Sequence, residues 1–243
     1  FGTWLLHYIE ILYERYLCLK KAITIYPNIY CEGLSVEKQI ELMINSNIVI
    51  GADGIESRVG RWGNIKTGVR MKDMESCLQY SVANIDVDPN TMIMYVGKKY
   101  APGGYLWIFP KSDHYNIGYC FNAGTPGMKE ALHKLMEERW PGELVDRKWK
   151  LSETGEIVDC KQFGSAIPSY NDPKLFDEPV SGENWVLCGD AAGHVNPIHG
   201  EGLNHAVLGG RLAAQAVSEG DPTKFESYWR EHYREDMYHA VTV

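Results

Sequence analysis

The chain holds 243 residues, 44% of them apolar, with 24 Lys and Arg against 32 Asp and Glu and a formal net charge of −8 at pH 7. That length suffices for one sizeable core or two linked smaller ones, and the acidic balance excludes the broad basic footprint that nucleic acid requires. Cys18, Cys31, Cys77, Cys120, Cys160 and Cys188 form no Cys-x-x-Cys pair and no zinc-spaced cluster, so they read as reduced thiols; no apolar run approaches the roughly 18 residues of a membrane span.

In chain order, residues 4–22 place Leu5, Ile9, Leu12, Tyr16 and Leu19 at helical spacing, which predicts a helix whose aromatic stripe packs on a sheet rather than anchoring in a membrane. Residues 23–30 and 40–50 predict strands, the second running into Ala52-Asp53-Gly54, and the Gly-rich stretch 60–68 predicts a crossing between domains. From 78 to 122 the apolar period becomes two. Strands are expected over 78–87, 92–96, 105–109 and 115–121, divided by Asp-Pro-Asn, Ala-Pro-Gly-Gly and Lys-Ser-Asp-His turns, an antiparallel pattern. A helix over 127–139 turns Met128, Leu132, Leu135 and Met136 inward and stops at Pro141-Gly142; strands resume near 155–167.

The short apolar run Trp185–Cys188 then predicts a buried parallel strand ending in Gly189-Asp190. Pro197 stiffens the following loop, and Gly200-Glu201-Gly202 opens a helix through Leu203, Ala206, Val207, Gly210, Ala213, Ala214 and Val217. Asp221-Pro222 is an N-cap and first-turn pair for a last helix over 222–238.

Several of these residues carry chemistry. Asp190 ends a strand at the edge where open α/β sheets take ligands and would face a cofactor hydroxyl; its other reading is a helix N-cap. Gly200, Gly202 and Leu203 offer backbone N–H groups suited to an electron-rich ring edge. Asp53 reads as an Asx-type turn, and Arg58 either neutralises phosphate or is solvated. Tyr105, Trp107 and Phe109 share one strand face and Leu106 and Ile108 the other, so the aromatic face is either core or the wall of an apolar ligand cavity. His194 and His199 flank Pro197, as acid–base groups near neutral pH or as loop histidines that bond backbone.

Gly189-Asp190, Pro197 and the Gly-rich helix start together resemble the second flavin motif of the p-hydroxybenzoate hydroxylase-like FAD superfamily. Ile48-Val-Ile-Gly-Ala-Asp-Gly-Ile-Glu-Ser-Arg-Val59 resembles that superfamily's other internal motif. Pro102-Gly-Gly-Tyr-Leu-Trp-Ile-Phe-Pro-Lys111 is similar to the Pro-x-x-Tyr-x-Trp-x-Phe-Pro sequence of geranylgeranyl reductases, including the archaeal digeranylgeranylglycerophospholipid reductases. The resemblance covers roughly residues 40–220.

The resemblance implies an α/β (α+β) chain: a Rossmann-like FAD-binding domain over 1–68 and 171–220, an antiparallel-sheet substrate domain over 69–170, and a helical region starting at 221. It implies FAD as cofactor, with Asp53, Gly54 and Arg58 toward the pyrophosphate and Gly189, Asp190, Pro197, Gly200, Gly202, Leu203 and Asn204 toward the ribityl chain and flavin ring. Tyr105, Trp107 and Phe109 become contacts to a polyprenyl lipid, with Tyr105 and His194 as candidate catalytic groups. The implied reaction is hydride transfer from reduced flavin N5 to isolated C=C bonds. Its electron donor is open among a nicotinamide, a deazaflavin and a ferredoxin. No metal is implied. With no signal sequence the expected location is cytoplasmic, with peripheral contact at the membrane face through the lipid.

Two other readings stand beside it. One is an aromatic hydroxylase of the same fold; halogenation is disfavoured because Tyr105 and Phe109 replace the first Trp and the Ile of Trp-x-Trp-x-Ile-Pro. The other is a binding module without catalysis. The strand, Gly-x-Gly-x-x-Gly turn and helix that hold the FAD pyrophosphate are absent from the sequence, which opens on Phe1. The expectation is therefore a piece that has lost its N-terminal portion and part of a C-terminal one, and that binds FAD weakly alone.

Overall fold

A computed structural model describes residues 23–26, 35, 46–65, 71–82, 85–122, 127–145, 148–151, 153 and 157–242. They fall into two compact units, one holding the described residues up to Asp73 and those from Pro168 onward, the other running Met74–Ile167. The helix expected over 4–22 lies outside the described residues.

In the first unit, β1 (Ile23–Tyr26) and β2 (Ile48–Gly51) pair in parallel from Ile23↔Ile48 to Tyr26↔Gly51. Val49 and Ile50 are buried, as a strand inside an α/β sheet should be. Glycine stands at 51, the last residue of β2, where a Cβ would meet Leu187 Cδ2 at 2.4 Å. A short helix, α1 (Arg58–Trp62), follows the Ala52-Asp53-Gly54 turn.

The second unit is built on a sheet that orders its strands β4-β5-β6-β3-β9-β8-β7. These are β3 (Met74–Val82), β4 (Ile93–Gly97), β5 (Ala101–Pro110), β6 (Tyr115–Asn122), β7 (Gly142–Val145), β8 (Lys148–Leu151) and β9 (Ile157–Pro168). The ladder of β3 with β6 runs antiparallel from Glu75↔Asn122 to Val82↔Tyr115, so β3 begins earlier and ends earlier than apolar alternation predicts. The Ala-Pro-Gly-Gly stretch expected as a turn is strand instead. Its Pro102 falls between the Ala101 and Tyr105 pairings, where the β4–β5 ladder breaks register, so the missing N–H interrupts no regular ladder.

One face of this sheet is core. Leu78, Tyr80, Val82, Leu106, Ile108, Ile117, Tyr119 and Phe121 are buried together with Leu132, Leu135 and Met136 of α2 (Met128–Arg139). Three of the four residues expected inward on that helix are buried, and Met128 packs at the margin. Each such aliphatic side chain contributes about 1.5–3 kcal/mol by leaving water, which fixes the strand register and sends Tyr105, Trp107 and Phe109 of β5 to the opposite face.

Within the first unit, β10 (Ser181–Gly182) and β11 (Trp185–Leu187) complete a sheet ordered β1-β2-β11-β10, with β11 parallel to β2. Then come α3 (Leu203–Ser218), α4 (Phe225–Trp229) and α5 (Glu235–Thr242). The last helix expected over 222–238 is divided by a π turn at Arg230–Arg234. Glu226 anchors this segment: its carboxylate accepts from the Ser181 backbone N–H at 2.9 Å, from Trp229 Nε1 at 3.1 Å and from Arg230 Nη2 at 2.9 Å. A half-buried carboxylate met by this many donors is satisfied rather than reactive.

Candidate functional site

Two regions hold the residues that the sequence singles out, one in each unit. In the first, β11 ends at Leu187 and the chain enters a 3-10 turn at Gly189–Ala192, closed by Gly193. Gly189 has φ +60° and Gly193 φ +73°, values that L side chains resist. A Cβ on Gly193 would also stand 2.1 Å from the Tyr170 hydroxyl. The turn points Asp190 toward the start of α3: an added Cβ at Gly202 would meet Asp190 Oδ1 at 3.2 Å and Val195 Cγ2 at 2.9 Å. Glycine at 202 therefore keeps an open corner between a carboxylate and a helix N-terminus.

The N–H groups at that helix start divide into used and unused. Gly200 N–H donates to Asn196 O at 2.9 Å, and Asn204 N–H donates to Glu201 Oε1 at 2.8 Å. Both are spent inside the loop, which corrects the expectation for Gly200. Gly202 N–H and Leu203 N–H have no acceptor among the described residues. Burial holds the Asp190 carboxyl above the usual carboxylate range, opposed by a hydrogen bond from its own backbone N–H. Partly desolvated, its carboxylate is set to accept hydrogen bonds from the hydroxyls of a bound group. Pro197 is half-buried and shapes the loop before Gly200, whose φ is +67°.

His194 behaves differently from its expected acid–base role. Its ring is 1% exposed, 4.3 Å from the Trp229 ring centroid and 5.3 Å from that of Tyr233, and its Nδ1 hydrogen-bonds with the Tyr233 hydroxyl at 2.9 Å. Burial, with the nearby His205 and Arg230, pushes its pKa down to about 3, so the ring is neutral near pH 7. It pins the turn to the C-terminal helices. His199 is exposed.

Asp53 caps its own helix. Its Oδ1 accepts from the Ser57 hydroxyl at 2.7 Å, and its Oδ2 accepts from the N–H groups of Arg58 at 2.7 Å and Val59 at 3.1 Å. Ser57 Oγ in turn accepts from Gly60 N–H at 2.9 Å. These bonds satisfy the orphan donors of α1, so the turn reading of Asp53 describes its contacts. Gly54 supplies the φ of +80° that the turn needs, and Arg58 sits half-buried at the first helical position.

In the second unit, Tyr105, Trp107 and Phe109 stand on the sheet face opposite the core, while Leu106 and Ile108 are fully buried beneath. The rings form a continuous surface, with centroids 5.6 Å apart for Tyr105–Trp107 and 5.8 Å for Trp107–Phe109. Cross-strand pairing extends it: Val96, Tyr105, Cys120 and Cys77 make one row, and Met94, Trp107, Gly118 and Gln79 the next. The edge members Met94 and Val96 are exposed. Gly118 shapes this face and is a residue that sequence reasoning passed over. A Cβ there would lie 2.1 Å from Trp107 Cζ2, so the indole lies flat across β6 only because position 118 has no side chain. A glycine inside an otherwise aromatic and β-branched strand was its signal.

Residues 73–151 match the geranylgeranyl reductase catalytic domain family, a span that contains the whole aromatic face. The chain belongs to the geranylgeranyl reductase family. It is 35% identical over 210 residues to the digeranylgeranylglycerophospholipid reductase of Methanosarcina acetivorans, covering 84% of this chain and 48% of that protein. To the protein of the same name from Methanocella arvoryzae it is 36% identical over 183 residues, covering 73% and 42%. The chain thus spans about half the length of the curated reductases it matches. A solved geranylgeranyl bacteriochlorophyll reductase-like protein from Thermoplasma acidophilum is 27% identical, with TM-score 0.66 over 81% of this chain and 49% of that one. The flavin-dependent halogenase CmlS, at 18% identity and TM-score 0.53 over 79% of this chain and 35% of that one, shares the fold. The mixed α/β architecture read from the motifs is the one observed.

Proposed function

We propose that this geranylgeranyl reductase family protein works with FAD to reduce isolated C=C bonds in the geranylgeranyl chains of isoprenoid lipid precursors. The observation that carries this reading is the aromatic face of Tyr105, Trp107 and Phe109, flattened by Gly118 and lying within the family-matched span. Such a wall suits a flexible apolar chain, and the Tyr105 hydroxyl, with Cys120, Cys77 and Glu75 nearby, gives it a polar tip.

The residues of the β11–α3 corner fit the flavin half of FAD. Asp190 would accept hydrogen bonds from ribityl hydroxyls, and the free N–H groups of Gly202 and Leu203 suit the electron-rich N1/O2 edge of the ring. When bound and reduced, the flavin supplies the hydride. Asp53 gives indirect help at most, by fixing the helix that carries Arg58. Electrons would come from a nicotinamide, a deazaflavin or a ferredoxin.

An unactivated alkene has no carbonyl to take up charge, so the protein's share is to hold it close and dry. Trp107 and Phe109 bind and orient the chain. Burial raises the Tyr105 pKa, with nearby Cys120, Cys77 and Glu75 adding to it, so its hydroxyl keeps a proton at neutral pH. In this reading Tyr105, whose place on the aromatic face would put its hydroxyl beside the bound chain, would hold the proton in place of His194, whose neutral ring is packed in the core. Among the described residues no helix is long and apolar enough to cross a membrane. The lipid would draw the protein to the membrane face peripherally.

The test is anaerobic expression of the gene encoding this chain in cells that make digeranylgeranyl lipids, followed by lipid mass spectrometry. The expected result is a gain of two hydrogens per reduced bond, lost in Asp190→Asn. Unchanged lipids with flavin bound would leave a binding module, and a strict oxygen requirement would point to the hydroxylase; either overturns the reading.

A further inference from the structure

Four cysteines lie among the described residues, all free thiols, and they differ in their surroundings. Cys160 and Cys188 are buried singly in the two cores. Cys77 and Cys120 are directly opposite each other on β3 and β6, on the face that carries Tyr105. The Cys120 thiol donates to Glu75 Oε2 at 3.2 Å and is also in hydrogen-bonding contact with Cys77. Directly paired residues of antiparallel strands have Cα atoms about 4.5–5.5 Å apart, inside the roughly 4.4–6.8 Å window of disulfides, so joining them needs side-chain rotation and little backbone movement.

We propose that Cys77 and Cys120 form a modification site that takes low-molecular-weight disulfides and closes reversibly into a cross-strand disulfide. The inference rests on the placement of the side chains and holds whether or not the protein reduces lipids. The two thiols differ in access: Cys77 is partly exposed, whereas Cys120 is 1% exposed. Cys77, as its thiolate, attacks the oxidant's S–S bond, forming a mixed disulfide and releasing one small thiol. Cys120 then attacks the Cys77 sulfur, the bond to the second small thiol breaks, and that thiol leaves. Two cysteines lose two electrons in total and the oxidant gains them. Its hydrogen bond with Cys77, then burial and the Glu75 carboxylate, hold the Cys120 pKa high, so this second step needs a base. Glu75, already the acceptor of that thiol proton, is the positioned one. Closure removes the Cys120 S–H from Glu75 and stiffens the row that Tyr105 shares.

Peptide mapping by mass spectrometry after incubation with oxidised glutathione, with remaining thiols alkylated, tests this on the unmodified protein. The expected product is a Cys77–Cys120 cross-link with the mass of two hydrogens lost, reopened by dithiothreitol. Cys120→Ser should instead trap a stable glutathione adduct on Cys77, and Glu75→Gln should slow closure about tenfold or more while Cys77 still forms its adduct. A persistent Cys77 adduct in the unmodified protein, or full thiol labelling after oxidation, overturns the proposal. If Cys120→Ser does not fold, the map of the unmodified protein still decides.

Discussion

The corner between β11 and α3 is made mainly of backbone, whereas the aromatic face of the second unit is made of side chains. In the corner, Gly189, Gly193 and Gly200 carry positive φ values, Gly202 leaves the space beside Asp190, and the groups on offer are N–H donors and one carboxylate. On the sheet, strand pairing and a buried opposite face set the register, and three rings line the other face. A region of backbone is vulnerable wherever a Cβ is added. A region of side chains is vulnerable wherever one is removed, with Gly118 as the exception that ties the two together.

The strongest way to break this contrast is Gly193→Ala. The left-handed φ and the 2.1 Å approach to the Tyr170 hydroxyl act together, so a loss of about 3 kcal/mol or more is expected in urea unfolding. A loss below about 0.5 kcal/mol, the size of an ordinary surface substitution, would mean the turn is pliable. Next comes Gly118→Ala, where overpacking against Trp107 should cost about 1–3 kcal/mol and alter tryptophan emission. An unchanged spectrum would show that the indole does not need its flat position. The third effect is a slope, smallest when read over a single pH unit. The His194 pKa is depressed when folded, so its contribution is fully present above about pH 6.5 and is lost as pH falls toward about 3, where the unfolded chain binds the extra proton. That amounts to about 1.4 kcal/mol per pH unit inside the window, measured as pH-dependent unfolding and reduced in His194→Phe. Equal slopes in both proteins would remove His194 from the account.

What the sequence could disclose followed from periodicity and motif. The run from Leu203 to Val217 has helical spacing and the structure has a helix at Leu203–Ser218; Tyr105 and Leu106 alternate, and one is buried beneath the other's face. What stayed hidden depends on partners distant in sequence or on hydrogen-bond competition. Nothing near Gly200 says that Asn196 O will take its N–H, and nothing near His194 points to Tyr233. Asp53 had the right residue type for two roles, and only the geometry of Ser57, Arg58 and Val59 chooses between them. Cys77 and Cys120 are unrelated by spacing and meet only through strand register.

The bond between His194 and Tyr233 joins residues 39 positions apart. A ribosome that has just made the turn after β11 must add all of those residues before the turn acquires its anchor. Until then the His194 ring lacks the Trp229 and Tyr233 rings that enclose it, is free to take up a proton in water, and leaves the turn held only by its own backbone bonds, such as Gly193 N–H to Asp190 O. The glycine corner is therefore a late event in synthesis, whereas the strand pairings of the second unit, all earlier in the chain, are available to form first.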